Sequence, residues 1–286
     1  MKTGKLSPKS TANRLSRILE AYSADNINKR FPVDVKDLAL QCGKQFDLGS
    51  EITEIQAADI KNFVGCLFSN DSKDKWKLLY NNTLSSGRIR FTQAHELGHY
   101  LLHRTQKDSF QCNENDMLNW SDAEKDIEAQ ADQFASYLLM PLDDYRKQVT
   151  SRINMDLFSH CADRYGVSMI ASILKWLDYT DIKAVLIISN DGFMNWAWSS
   201  KAAFKAGAFF KTRSNIIPIP EKSLAANTLI FDERNGANIA ANIWFEHAER
   251  DMDIQEMKIY SNQHDMIITL LVLPKPLEAW PPRNFD

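Results

Sequence analysis

Apolar positions recur at helical spacing over residues 10–24, where Leu15, Ile18, Leu19 and Tyr22 share a face and Ser10 or Thr11 can cap the start. A second helix is announced by Asp34 as N-cap with Asp37 at the third helical position, and Gly43 is a plausible stop. Residues 51–82 change texture. They alternate, are rich in β-branched and aromatic types, and carry turn signals at Asn70-Asp71-Ser72 and Asn81-Asn82, so two or three strands are expected. Helical periodicity returns over 88–104 and 121–140, and Pro141 ends the latter because proline cannot continue a helix interior. Residues 143–180 also read as helical. From about 182 the chain turns to β: Ala184–Ser189, Ile239–Phe245 and Met266–Leu273 are strand-length apolar runs, punctuated by Pro218, Pro220, Asn235-Gly236 and Pro274. The pattern predicts an α+β chain with a boundary near 180 and a β-rich C-terminal third.

Composition narrows the function classes. The 286 residues are 44% hydrophobic and 25% charged, and 34 Lys+Arg against 37 Asp+Glu leave a net charge of −3. That balance excludes a generally basic nucleic-acid coat protein. The longest apolar run, Met266–Leu273, falls far short of the ~20 residues that span a bilayer, and the polar N-terminal stretch lacks the apolar core of an export signal. Cys42, Cys66, Cys112 and Cys161 are far apart with no CxxC spacing, so a cytoplasmic protein with reduced thiols and no membrane association is expected. Lys2, Lys5, Lys9, Arg14, Arg17, Lys29 and Arg30 crowd the first 30 residues. A solvated helix face is the favoured reading, with nucleic-acid contact as the alternative.

The segment His95-Glu96-Leu97-Gly98-His99 carries the chemistry. At about 100° per helical residue, His99 lies about 40° and Glu96 about 100° from His95, while Ala94, Leu97, Leu101 and Leu102 occupy the opposite arc. One face is expected to be buried and apolar, the other to present two imidazoles and a carboxylate. Two His one turn apart can both reach a zinc ion, and the intervening Glu can serve as general base at the open position. With 6 His in 286 residues, an HExxH arises by chance in roughly one such chain in a hundred, so the motif is specific without being conclusive. A third ligand is expected from the helix at 121–140, where Glu128 and Asp132 are one turn apart beside Ala131, Phe134, Ala135 and Leu138. Glu128 would ligate zinc, and Asp132 would accept the second ring N–H of a ligating His. His103 lies about 12 Å from His95 along the same helix. It cannot share the metal and is assigned to the last helix carbonyls.

These residues resemble the ImmA/IrrE family of zinc-dependent regulatory peptidases. The resemblance rests on Pro32–Val35 with Leu38-Ala39, on Arg90–His103 around the HExxH, on Glu128–Ala135 followed by Leu138–Pro141, and on Gly166-Val167-Ser168. It covers roughly 30–180, and residues 181–286 match only loosely. It implies a gluzincin-like zinc peptidase core over 1–145, a helical, helix-turn-helix-like module over 146–180, and a β-rich domain over 181–286 of the kind that resembles GAF sensors. It further implies a zinc endopeptidase that cleaves a helix-turn-helix (XRE-type) repressor to control mobile-element, stress or defence genes. Asp132 stands where the family commonly has Asn, and either can accept the hydrogen bond. The second helix of the module, Ser168–Trp176, has a single cation, Lys175, so it is a poor DNA reader.

Between Gly192 and Pro220, Lys201, Lys205, Lys211 and Arg213 are interleaved with Trp196, Trp198, Phe204, Phe209 and Phe210. Core aromatics with outward lysines are favoured over a single-stranded nucleic-acid platform. His247 and His264 have no ligand spacing. Two functions from different classes follow: a zinc endopeptidase with Glu96 as base, or a non-proteolytic zinc-containing regulator that binds a repressor or DNA. An intact Glu96 favours the enzyme. Candidates to stabilise the oxyanion are Tyr100, Tyr137 and Arg90. Nothing in the pattern sets an oligomeric state.

Overall fold

The computed structural model describes residues 7–23, 30–59, 63–113, 122–150, 152–262 and 264–281. The chain packs as two compact units, residues 1–148 with 161–168 and residues 149–160 with 169–286. The helical stretch 146–180 therefore contributes to both.

The first unit begins with α1 (Pro8–Tyr22), capped by Ser7 rather than Ser10 or Thr11, with proline at its first turn. The buried residues are Thr11, Ala12, Leu15 and Ser16, Leu19 packs against the core at their edge, and Tyr22 is exposed. Helix α2 (Val35–Gln45) starts from Asp34, whose side chain accepts the Asp37 N–H. Gly43 does not stop it. The residue is buried inside the helix, where an added Cβ would lie 2.6 Å from the Ser50 carbonyl oxygen, so it serves close packing instead.

Strands β1 (Glu51–Ala58), β2 (Phe63–Ser69) and β3 (Lys75–Asn81) fill the alternating region, and β3 pairs parallel with β1 and antiparallel with β2. Helix α3 (Ser86–His103) follows, and a short strand the hydropathy pattern does not reveal, β4 (Ser109–Asn113), closes the sheet in the order β1-β3-β2-β4. Helix α4 (Asp122–Leu139) packs on α3, and α5 (Leu142–Gln148) follows Pro141. Leu38, Leu67, Trp76, Leu78, Leu97, Phe134 and Leu138 form the core between these helices and the sheet. Arg30 is buried and pairs with Ser16, Glu20 and Asp143, while Lys9 and Arg14 lie over the rings of Tyr137 and Phe46. The basic N-terminal segment is thus partly structural; Lys2, Lys5 and Lys29 lie outside the described residues.

Helices α6 (Met155–Tyr165) and α7 (Met169–Tyr179) are joined by a tight turn in which Gly166 adopts φ 60°. Lys175, the only cation of α7, is buried and cannot meet a phosphate. The second unit is built on an antiparallel sheet, β5 (Ala184–Asn190), β6 (Phe193–Ser199), β7 (Asp232–Ala240), β8 (Asp253–Ser261) and β9 (Met266–Val272), in the order β6-β5-β9-β8-β7. A short helix α8 (Lys201–Lys205) follows β6. The run Ile239–Phe245 is not a strand. β7 ends at Ala240 and the chain turns through a 3₁₀ segment, which drops Trp244 and Phe245 into the core. Asn235-Gly236 is an irregularity within β7, not a loop; the register shifts there, and Gly236 has φ 91°.

The interleaved aromatics divide. Phe210 packs on Trp244 and Phe245, whereas Trp198 and Phe204 are about half exposed. His247 and His264 are exposed. Among the described residues no helix is long and apolar enough to cross a membrane.

Candidate metal centre

Ser85 caps α3 by accepting the Arg88 N–H, and from Thr92 onward the helix runs through the core. The expectation of one buried and one open face does not hold. His95, Glu96, His99 and His103 are all buried, because the sheet covers one side of α3 and α4 the other. Two glycines allow this. A Cβ at Gly98 would lie 2.9 Å from the Phe134 ring and 3.3 Å from the Ala131 Cα, so only glycine lets α4 come this close. A Cβ at Gly65 on β2 would collide with Thr92 and sit 3.1 Å from the Glu96 carboxylate.

Helix α4 lays two side chains, one turn apart, across the imidazoles. Glu128 Oε2 is 3.0 Å from His95 Nε2, and Glu128 Oε1 is 3.4 Å from His99 Nε2. The two Nε2 atoms are 2.9 Å apart. One ligand atom from each of His95, His99 and Glu128 lies within 4.8 Å of the others, so these three could hold a metal ion. Asp132 is not in this cluster; its Oδ1 is 2.9 Å from His95 Nδ1, on the ring edge away from it. The expected ligand residues and the expected orienting residue are therefore brought together. Glu96 is fully buried and faces β2 at Gly65.

The electrostatics suit a cation. Burial pushes the Glu128 carboxyl up, but in the metal-free chain the protonated imidazoles of His95 and His99 donate to it and, with their charge, hold it well below the usual carboxylate range. Burial pulls His99 down to about 4, opposed by its hydrogen bond with Glu128. A carboxylate and neutral imidazoles converging on one point are the forms that bind metal. Two nitrogens and one carboxylate oxygen, with a further coordination position left over, are a donor set that zinc accepts.

His103 is not at the helix carbonyls. Arg104 donates to the Tyr100 and Leu101 carbonyl oxygens, while His103 Nδ1 lies 3.2 Å from His99 Nδ1 and its Nε2 3.3 Å from Gln130 Oε1. The signal was present in the one-turn spacing of His99 and His103. Phe110 of β4, also missed, stacks on the His99 ring with centroids 4.4 Å apart and planes 17° from parallel. Two oxyanion candidates are committed elsewhere. Tyr100 is buried and donates to the Ser50 carbonyl oxygen at 2.5 Å, and Arg90 donates to the Gly166 carbonyl oxygen. Tyr137 carries the Lys9 ammonium over its ring.

Residues 51–176 match the family model described as Peptidase_M78: IrrE N-terminal-like domain. The resemblance to the ImmA/IrrE family therefore holds over this segment, which contains His95, Glu96, His99, Glu128 and Asp132. Among solved structures, a Mycobacterium tuberculosis transcriptional regulator is similar in fold, with a TM-score of 0.52 and 12% identity over 93% of this chain and 76% of that one. No curated protein sequence matches the chain.

Proposed function

We infer that this chain, whose residues 51–176 match the IrrE N-terminal-like peptidase family model, is a zinc-dependent endopeptidase that cleaves a regulatory protein. The observation that carries the reading is the convergence of His95, His99 and Glu128, with a second-helix carboxylate, Asp132, on the far nitrogen of His95. His95, His99 and Glu128 would hold a zinc ion, which would supply Lewis-acid polarisation of a scissile carbonyl and of water. Asp132 holds His95 in the tautomer whose Nε2 is the ligand atom. Glu96 takes the proton of the attacking water on a carboxylate oxygen and returns it to the leaving amine as the C–N bond breaks. The family resemblance supports a helix-turn-helix repressor as the substrate class, a cytoplasmic setting, and a sensor role for residues 181–286.

The reading is tested by metal analysis of the purified full chain beside Glu96→Ala and His95→Ala. About one equivalent of zinc in the wild type and in Glu96→Ala, and none in His95→Ala, is expected. Zinc lost from Glu96→Ala would show that the base is misassigned. The binding-only regulator keeps its function in Glu96→Ala, whereas the peptidase loses it.

A further inference from the structure

We propose that His103 is a positioning residue for His99, one link of a one-directional hydrogen-bond chain that runs from Asp126 to His99 and leaves the His99 Nε2 lone pair facing the ligand cluster. The proposal rests on the metal-binding reading of that cluster.

The direction follows from the chemistry of each group. The Asp126 carboxylate only accepts, so the 2.7 Å contact at its Oδ2 is donated by Gln130 Nε2. That places Gln130 Oε1 toward His103, where it accepts from His103 Nε2–H at 3.3 Å. A neutral imidazole protonated at Nε2 has its lone pair on Nδ1. His103 Nδ1 therefore accepts, and the 3.2 Å contact is donated by His99 Nδ1–H. His99 is left with its only lone pair on Nε2, the atom 2.9 Å from His95 Nε2 and 3.4 Å from Glu128 Oε1. Reversed at any link, the chain would put a proton on the ligand nitrogen.

The geometry makes the chain consequential. The His99 side chain is fully buried and stacked on Phe110, so its ring plane is fixed and its tautomer is set by what meets Nδ1. The two metal-facing histidines are thus oriented differently. His95 meets the Asp132 carboxylate, whose side chain is 60% exposed; His99 meets a buried neutral ring that relays to an exposed carboxylate one turn before Gln130 on α4. The pairing of one-turn steps, His99 to His103 on α3 and Asp126 to Gln130 on α4, brings the relay together.

The experiment is zinc competition against a chromophoric chelator, with the cobalt-substituted absorption spectrum, on the full chain and on His103→Leu, His103→Asn and Gln130→Leu. Leu removes the acceptor, and zinc should bind about 10–100-fold more weakly with a changed cobalt spectrum. Asn offers Oδ1 to the His99 N–H and should recover most of the affinity. Gln130→Leu should weaken binding in the same direction by less, and it carries the test if His103→Leu does not fold. Wild-type affinity and spectrum in folded His103→Leu, wild-type affinity in Gln130→Leu, or His103→Asn as weak as His103→Leu, would each overturn the proposal while leaving the metal site standing. A wild type that binds no zinc would overturn both.

Discussion

Two carboxylates, the partly buried Glu128 and the fully buried Glu256, one in each unit, show what separates a site from a scaffold. Glu128 meets two imidazoles that converge with it on one point, and when protonated they donate to it and hold its carboxyl well below the usual range despite partial burial. Glu256 of β8 is buried more completely, yet it meets fixed donors, among them the Ala225 N–H at 2.7 Å and the Trp244 indole N–H at 2.8 Å. Burial pushes its carboxyl up, and those bonds, with Lys258 nearby, recover only part. Lys258, also buried, donates to the Asn227 carbonyl oxygen at 2.7 Å. In the second unit the buried charges fasten the 225–227 backbone to the sheet. In the first, the carboxylate and the neutral imidazoles turn lone pairs toward one another, an arrangement that could hold a cation. Burial of polar groups alone identifies neither; convergence of acceptors does.

The largest effect that sharpens this contrast is on metal content. Glu128→Ala should abolish stoichiometric zinc binding, whereas Glu256→Ala should leave it intact, as read by metal analysis after dialysis. Zinc retained in Glu128→Ala would place the third ligand elsewhere.

Next comes stability. Glu256→Gln turns an amide N–H toward a donor that the carboxylate accepted, and should cost about 1–3 kcal/mol, seen in denaturant unfolding with unchanged zinc content. An unchanged midpoint would mean the strap is not fastened there.

Asp132→Ala should weaken zinc about tenfold, toward the low end for outer partners because the carboxylate is largely exposed. Asp132→Asn, which keeps an acceptor, should lose less. Equal losses would tie the effect to charge instead of orientation.

The smallest and most diagnostic difference is in pH dependence of the metal-free chain. His99 has a folded value of about 4 against 6.5 when free, so the unfolded chain binds more protons in that interval and stability falls as pH drops from 6.5 toward 4. Glu128 extends the loss below 4.5, because its folded value is depressed. Glu256 is raised, so its share has the opposite sign, present below 4.5 and lost as pH rises through its folded value. Hydrogen exchange should show α3 and α4 losing protection on acidification while β8 does not. Parallel loss in both would contradict the opposed signs.

Much of the centre was legible because it rests on one-turn spacing. His95 with His99, and Glu128 with Asp132, can be placed on helix faces without knowing the fold. What escaped depends on tertiary pairing. His103 looked like a terminal residue because Gln130 is brought to it only by the α3–α4 packing that Gly98 permits. Phe110 was hidden because β4 is too short to show a period. The Ile239–Phe245 run misled because an apolar stretch fits a strand or a buried turn equally well. Gly43 carried the composition of a stop, but the approach of the Ser50 backbone, not a turn, explains it.

The most direct measurement of the central claim compares protein N-termini in host cells expressing the wild-type chain and Glu96→Ala at equal levels. The account predicts a new N-terminus within a regulatory protein, present with the wild type and absent with Glu96→Ala. Identical N-termini in both, with zinc bound in each and with and without genotoxic stress, would contradict proteolysis and leave the centre a structural metal site in a binding regulator.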